Sequence, residues 1–482
     1  MNGKPQGISE DWLSLWIGLL IFVLSLGLLA GADLLGWVVS TQVWTELSKA
    51  LGSASKTYAG IGGVGALIAT YVALLVVLSA GAAALKANVA RFALGFTAVF
   101  WVAYVCWIVG SWASFAVNTP ADMKKFGIGW SLRLTAEGGF IVALLAGLFV
   151  GNFMPAFAQW MKEAVRPELY IKIAIVLLGG FLGVTAAEKL SLATSLMFLG
   201  LAAIIVAYLI FWSVVYYVAR TWFGFSREWA APLASGISVC GVSAAIATAA
   251  AIRARPVVAV MVSSLVVIFA VVELLILPFL AQAFLSHEPL VAGAWMALSV
   301  KTDGAAVASG AITESFILAN AAAEGVNYAK GWVLGTAATV KVFIDIFIGI
   351  WAFVLAYIWT TRIEQRAGER AQAREIWERF PKFVIGYVVT FALILLIALG
   401  ATPALMAKVK AAMGEANTFR GIFFVLTFFT IGVMTNFRKL WEEGIGKLAA
   451  VYVLCLFGFI IWVGLLIAWL FYGGVKPPLA TG

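Results

Sequence analysis

Charge is scarce in this sequence. Only 11% of its 482 residues are Asp, Glu, Lys or Arg, against roughly 25% in a soluble globular chain, which excludes an ordinary water-soluble domain. Histidine is nearly missing. The single His287 cannot build a multi-histidine metal centre; beside Glu288 and Pro289 it reads as a surface loop residue. The three cysteines, Cys106, Cys240 and Cys455, all fall inside apolar runs, so no disulfide framework is implied. HExxH, GxSxG and Walker signatures are lacking, so neither an enzyme nor an ATP-driven pump is expected, and no cofactor. The net charge of +9 comes without a basic tail or basic–aromatic module. It implies no nucleic-acid partner, because Lys and Arg lie mostly in short loops between apolar runs.

What the chain has is apolar length: 63% of it is hydrophobic. One helical span needs about 20 apolar residues, and about thirteen hydrophobic segments follow one another. They cover 12–39, 58–85, 92–117, 140–157, 171–187, 194–219, 229–251, 257–285, 291–312, 332–360, 382–403, 420–436 and 447–472. The runs are continuous instead of alternating, which excludes a transmembrane β-barrel. The fold class expected is an all-α polytopic membrane protein, multi-pass in the cytoplasmic (inner) membrane and in contact with the lipid bilayer. The first segment is too long for a signal-peptide core and is expected to stay. One connector is strongly charged, TRIEQRAGERAQAREIWERFPK (361–382), and reads as an amphipathic cytoplasmic surface helix. Its Lys and Arg dominate the charge bias and place the N-terminus in the cytoplasm and the C-terminus outside. The aromatic content, including 20 Trp, fits interfacial belts.

The segments are not alike. Those at 140–157, 171–187 and 420–436 are short for a straight span, and those at 229–251 and 291–312 are interrupted by Gly, Ser, Thr or charge. Short or interrupted segments in corresponding places of two halves point to a transporter's binding site. LGVTAAEKL (182–190) and IGVMTNFRKL (431–440) echo one another, a weak internal repeat.

In SGISVCGVSAAIA (235–247), Gly236 and Gly241 allow the backbone to unwind, and Ser235, Ser238 and Ser243 can satisfy freed peptide groups. An unwound helix leaves a half-helix N-terminus in mid-membrane, which favours an anion. Close small-residue packing between helices is the alternative. In SVKTDGAAVASG (299–310), Lys301 and Asp303 sit beside Thr302 and Gly304 within an apolar segment. A charge inside the bilayer marks a functional site by default. Lys301 would suit a negatively charged solute, and Asp303 would pair with Lys301, bind a coupling cation or carry a proton. Lys341 and Asp345, spaced i, i+4, share a helix face and read as a self-neutralising pair or as coupling groups. Glu273 has no evident sequence partner; it meets a cation from another helix or titrates.

SGISVCGVSAAIATAAAIRARP (235–256) resembles the Cys-Gly crossover of the YeiH-type sulfate exporter family. ELYIKIAIVLLGGFLGVT (168–185), GFIVALLAGLFVGN (139–152) and FRGIFFVLTFFTIGVMTNFRKL (419–440) resemble other pieces of it in the same order. The resemblance covers roughly 139–472 and leaves 1–130 as additional N-terminal transmembrane segments, a dimer interface or a brace. The family is grouped with cation/proton-antiporter and bile-acid-transporter-like proteins. That implies inverted repeats, panel and core domains, two discontinuous helices crossing at the midplane, and an elevator-like motion. Where the family shows a His-Glu pair followed by a Gln, this chain has Lys301, Thr302 and Ala305. The family's Lys-x-x-Arg becomes Lys341 with Ile344, and Lys301 puts a permanent cation where the family has a titratable imidazole, so proton coupling through that position is not expected.

Together these point to a secondary transporter of a small anion: sulfate, sulfite, a sulfonate or a carboxylate. Ser238, Cys240, Gly241, Ser243, Lys301, Thr302 and Gly304 are the candidate substrate residues. Asp303, Lys341, Asp345 and Glu273 are the candidate coupling groups, with H⁺ or Na⁺ as coupling ion and a homodimer as one assembly. The rivals are a cation- or proton-coupled antiporter whose ligand binds the acids, an anion channel, and a receptor without flux.

Overall fold

The computed structural model describes residues 8–117, 120–132, 138–188, 190–363, 381–435 and 446–480. Most of the charged connector (364–380) and the end of the second echo stretch (436–440) lie outside the described residues. Among those described, ten helices are long and apolar enough to cross a membrane, and three further apolar helices are shorter. The protein is an all-α multi-pass membrane protein. Its small exception is a two-stranded hairpin, β1 (Val39–Thr41) antiparallel to β2 (Leu51–Ser53), with Val39 opposite Ser53.

The chain divides into two compact units. The first comprises Met1–Leu190, Leu318–Val326 and Lys382–Thr435. It begins with α1 (Glu10–Ser25), whose N-cap Ser9 accepts from the Trp12 N–H and whose first turn carries Glu10 and Asp11, where acids suit the helix dipole. A 3₁₀ turn (Leu26–Ala30) ends it, so the apolar run to residue 39 is not all helix; Asp33 accepts from the Gly36 N–H in the turn that leads to β1. Then follow α2 (Gly62–Ala84), α3 (Val89–Gly110), the short α4 (Ala113–Ala116) and α5 (Pro120–Phe126), α6 (Gly138–Phe153), α7 (Pro155–Trp160) and α8 (Pro167–Glu188). The unit is completed by two later helices, given in chain order below, and α8 is its centre.

The second unit comprises Ser191–Ile317, Asn327–Pro381 and Asn436–Gly482. Its helices are α9 (Leu190–Thr221), α10 (Arg227–Ser235), α11 (Gly241–Ala251), α12 (Pro256–Phe284), α13 (Pro289–Ser299), α14 (Asp303–Ala323), whose last turns from Leu318 are counted with the first unit, and α15 (Trp332–Ile358). After α16 (Phe383–Leu399) and α17 (Pro403–Met434), which belong to the first unit, it ends with α18 (Gly446–Cys455) and α19 (Ile461–Tyr472).

In the first unit α8 packs on α1, α16 and α17. Its buried Lys172 is paired with Asp11 at 2.8 Å and Glu168 at 3.5 Å, as a buried charge requires. Two segments that look short in the sequence are full-length helices. α8 starts at Pro167, and α17 has 32 residues. The first half of α17 is amphipathic, with Lys408 and Lys410 exposed and Val409, Ala412, Met413 and Ala416 buried, so an average over both faces hides it. α6 is short, with 16 residues, and α6 and α17 touch backbone to backbone. A Cβ on Gly147 would stand 2.1 Å from the Phe429 oxygen, and one on Gly432 would stand 2.4 Å from the Leu144 oxygen. Small residues permit such approach in membrane bundles. α1 and α3 pack on α17, and α3 also on α6, so the N-terminal helices are built into this unit.

In the second unit both interrupted segments turn back on themselves. α10, a π-helical turn (Gly236–Cys240) and α11 form a helical hairpin. Glu228 bonds Arg255, Ala231 clusters with Ile252, and the Thr248 hydroxyl donates to the Ser235 hydroxyl at 2.7 Å. The partners converge on the tip at Cys240–Gly241. α13 and α14 form a second hairpin with its tip at residues 300–302. Gly293 packs on Val333 and Thr336, and Gly310 packs on Ala337 and Leu334. Glu314 accepts from the N–H groups of Gly331, Val333 and Leu334. Both arms therefore flank the start of α15. The base of the first hairpin packs instead on Leu355 and Trp359 at the other end of α15. With 27 residues, α15 is about 40 Å long at 1.5 Å per residue, so the hairpins enter from opposite ends and meet near its middle. A strict alternation of sides along the chain fails between them.

Candidate functional site

The meeting point is fixed by Gly241. Its φ is +47° and ψ −116°, a region open almost only to glycine. A Cβ there would stand 2.6 Å from the Lys301 carbonyl oxygen. The tip of one hairpin thus lies directly on the backbone of the other. The preceding π turn is the kind of helix defect that accompanies functional sites. Pro232 inside α10 removes one helical donor and loosens the arm leading to it.

Five charged side chains are buried around the tips: Glu273, Lys301, Asp303, Lys341 and Asp345, none more than 3% exposed. They form two groups. In the first, the Cys240 thiol donates to Asp303 Oδ1, and Lys341 Nζ stands 3.8 Å from the same oxygen and 3.3 Å from the Val300 carbonyl. Cys240 Sγ and one carboxylate oxygen each of Asp303 and Asp345 lie within 4.8 Å of one another. Lys341 already supplies a cation to this network. In the second group the Lys301 N–H donates to Glu273 Oε2 at 2.9 Å. The Lys301 ammonium turns to the Leu298 carbonyl and lies 5.2 Å from the Phe211 ring centroid, a cation–π contact.

The structure brings together most of the residues singled out from the sequence and rearranges their pairing. The i, i+4 pair of Lys341 with Asp345 is not the ion pair found: Lys341 reaches across to Asp303 of the second hairpin. Lys301 does not pair with Asp303, because its side chain runs back along its own arm. Thr302 caps α14, its hydroxyl accepting from the Ala305 N–H at 3.2 Å, and Gly304 sits buried in the first turn. Ser238 is 5% exposed and its hydroxyl has no hydrogen-bond partner; neither do Glu273 Oε1 and Asp345 Oδ1. A buried polar atom without a partner costs about 1–3 kcal/mol, so these three mark a place built for something else. The Ser243 side chain lies outside the described residues. The Arg255 guanidinium, together with its own backbone N–H, holds the half-buried Glu228 carboxyl below the usual carboxylate range.

Several supporting residues lie on α9, which reads as an ordinary span. The Tyr208 hydroxyl donates to the Ile344 carbonyl at 3.1 Å, Trp212 donates to Ser235 at 3.0 Å, and Phe211 sits under Lys301. Their only signal is the i, i+3 and i, i+4 spacing of large aromatics.

A multi-pass helical bundle with two opposed re-entrant hairpins and buried charges at their tips is a membrane protein organised around an internal polar site. The chain belongs to the family described as Conserved hypothetical protein 698, whose model matches residues 131–451. It is similar to a UPF0324 membrane protein of Nitrosomonas europaea, 40% identical over 479 residues, covering 98% of this chain and 97% of that one. An uncharacterized protein of Archaeoglobus fulgidus is 48% identical over 165 residues, 30% of this chain and 88% of that one. A UPF0324 membrane protein of Nitratidesulfovibrio vulgaris is 29% identical over 404 residues, 82% of this chain and 62% of that one. No solved structure matches the chain.

Proposed function

We propose that the protein is a secondary transporter of a small anion that binds where the two hairpin tips meet. The observation that carries this reading is the opposed pair of re-entrant hairpins, whose contact point holds Lys341 and the unpartnered Ser238 hydroxyl. Broken helices that present half-helix N-termini at mid-depth suit an anion; α11 begins at this point. Lys341 supplies the charge, with Ser238 and the first-turn N–H groups of α11 as donors. Lys301 serves instead to hold its own arm. The resemblance to YeiH-type proteins supports an oxyanion or sulfonate over a larger solute, and the Lys and Arg of the 361–382 connector support a cytoplasmic N-terminus in the inner membrane. An elevator-like motion is proposed for the transport step.

Uptake of radiolabelled sulfate and of a sulfonate into proteoliposomes tests this. Saturable, gradient-driven accumulation that Lys341→Met abolishes is expected. Flux that is unsaturable and conductive would replace the transporter with an anion channel. The Cys240–Asp303–Asp345 cluster favours one second reading, a cation- or proton-coupled antiporter whose ligand binds the acids. Cation flux without any anion requirement would select it.

A further inference from the structure

Resting on the anion-transport reading, we infer that each anion is bound together with one proton, held on the Asp303–Asp345 carboxyl pair, with Lys341 as the fixed counter-charge.

The geometry makes the pair a proton site. One oxygen of each carboxyl lies within 4.8 Å of the other, and two carboxyls this close, away from water, favour one shared proton over two negative charges. The groups facing Asp345 are few. Asp303 comes from α14, Cys240 from the first hairpin tip, Lys341 from its own helix, and the Tyr208 phenol from α9, already committed to the Ile344 carbonyl. Glu273 and Lys301 stand further off and are joined to each other through the Lys301 N–H.

The distribution of donors separates the two carboxyls. Asp303 Oδ1 has the Cys240 thiol donating to it and the Lys341 ammonium 3.8 Å away. Asp345 is 1% exposed, and its Oδ1 has no hydrogen-bond partner. Asp345 Oδ1 is therefore the oxygen open to the proton.

Charge then couples the proton to the solute. With both carboxyls ionised, Lys341 leaves the cluster one unit negative, and an arriving anion is repelled in a medium that screens poorly. A proton on Asp345 makes the cluster neutral before the anion arrives, and Lys341 can turn toward it. Each ligand raises the affinity for the other by the same factor. The proton enters from the aqueous side as the Asp345 O–H and leaves by the same bond, so nothing else is made or broken.

Sodium suits the place less well. A hard cation takes a shell of several oxygens, whereas here one of the three donors is sulfur, a soft ligand. The Lys341 ammonium already stands 3.8 Å from one carboxylate.

Calorimetric titration of the purified full-length protein with potassium sulfate, methanesulfonate and acetate decides this. Run at one pH in Hepes and in Tris, whose ionisation enthalpies differ, it counts the protons taken up per anion. About one proton per anion is expected, with affinity falling about tenfold per pH unit of increase where that proton is taken up. Asp345→Asn should bind anion with no uptake and a flat pH dependence. Binding without proton uptake in the unmodified protein overturns the inference alone. So does binding that requires sodium salts in place of protons, or full uptake retained in Asp345→Asn. Failure of every anion to bind overturns the transport reading and this inference with it. Should Asp345→Asn not fold, the two-buffer count on the unmodified protein is sufficient.

Discussion

Glu228 and Arg255 lie 27 positions apart and form a two-pronged ion pair, Nε to Oε1 at 3.0 Å and Nη2 to Oε2 at 3.1 Å. The Arg255 N–H adds a third bond at 2.8 Å. One residue opens the first hairpin and the other follows it, so the pair closes its base. A mostly apolar segment of 23 residues, 229–251, is thereby a re-entrant loop instead of a crossing.

Accessibility follows from this arrangement. In a cysteine-free background, Glu228→Cys and Arg255→Cys should react with a membrane-impermeant maleimide from one side of the membrane. His287→Cys and Asn327→Cys, at the base of the second hairpin, should react from the other. Labelling of positions 228 and 255 from opposite sides would show that the segment spans.

Glu228 also has a pH signature. Its carboxyl is held below the ordinary range by Arg255, so the folded form binds the proton less readily than the unfolded one. The contribution is present above the unfolded value of about 4.3 and is lost as pH falls through the lower folded value. Comparing unfolding temperatures, the unmodified protein should exceed Glu228→Gln at pH 7 and converge with it in acid. The pair is partly exposed, so added salt should shrink the difference. A gap unchanged down to strong acid would remove the ion pair as its cause.

Gly241→Ala should be damaging out of proportion to one methyl group. The φ, ψ region costs a side chain about 1–3 kcal/mol, and the new Cβ would stand 2.6 Å from the Lys301 oxygen. A lowered melting temperature together with lost solute binding is expected. Near-normal values of both would mean that the tips do not meet at Gly241.

Lys341→Met leaves Asp303 and Asp345 buried without their cation. Breaking a buried pair typically costs about 3–5 kcal/mol, so poor folded yield is expected. Adding Asp303→Asn removes one of the stranded charges and should recover much of that loss. A double-mutant cycle measures the coupling; strict additivity would sink the Lys341–Asp303 pairing.

Much of the protein was legible in its sequence because membrane insertion is a one-dimensional constraint. Lipid offers no hydrogen bonds, so apolar runs about 20 residues long must be helices. A polar break such as SGISVCG, or a Lys-Thr-Asp in an apolar run, cannot be idle. Those rules found every charged residue at the hairpin tips. They read α17 as short because Lys408 and Lys410 share turns with its buried face, and they passed over Tyr208, Phe211 and Trp212 altogether.

What the sequence by itself determined is which residues had to be satisfied inside the membrane. What only the tertiary structure decided is how. Apolar length is the same for a crossing and for a hairpin, so nothing local distinguishes them until Glu228 meets Arg255 and Gly310 meets Ala337. Pairing among five buried charges likewise depends on distances between helices far apart in sequence. Lys341 therefore answers Asp303 instead of Asp345 four residues away, because the tip of the second hairpin brings that carboxylate within reach of its ammonium.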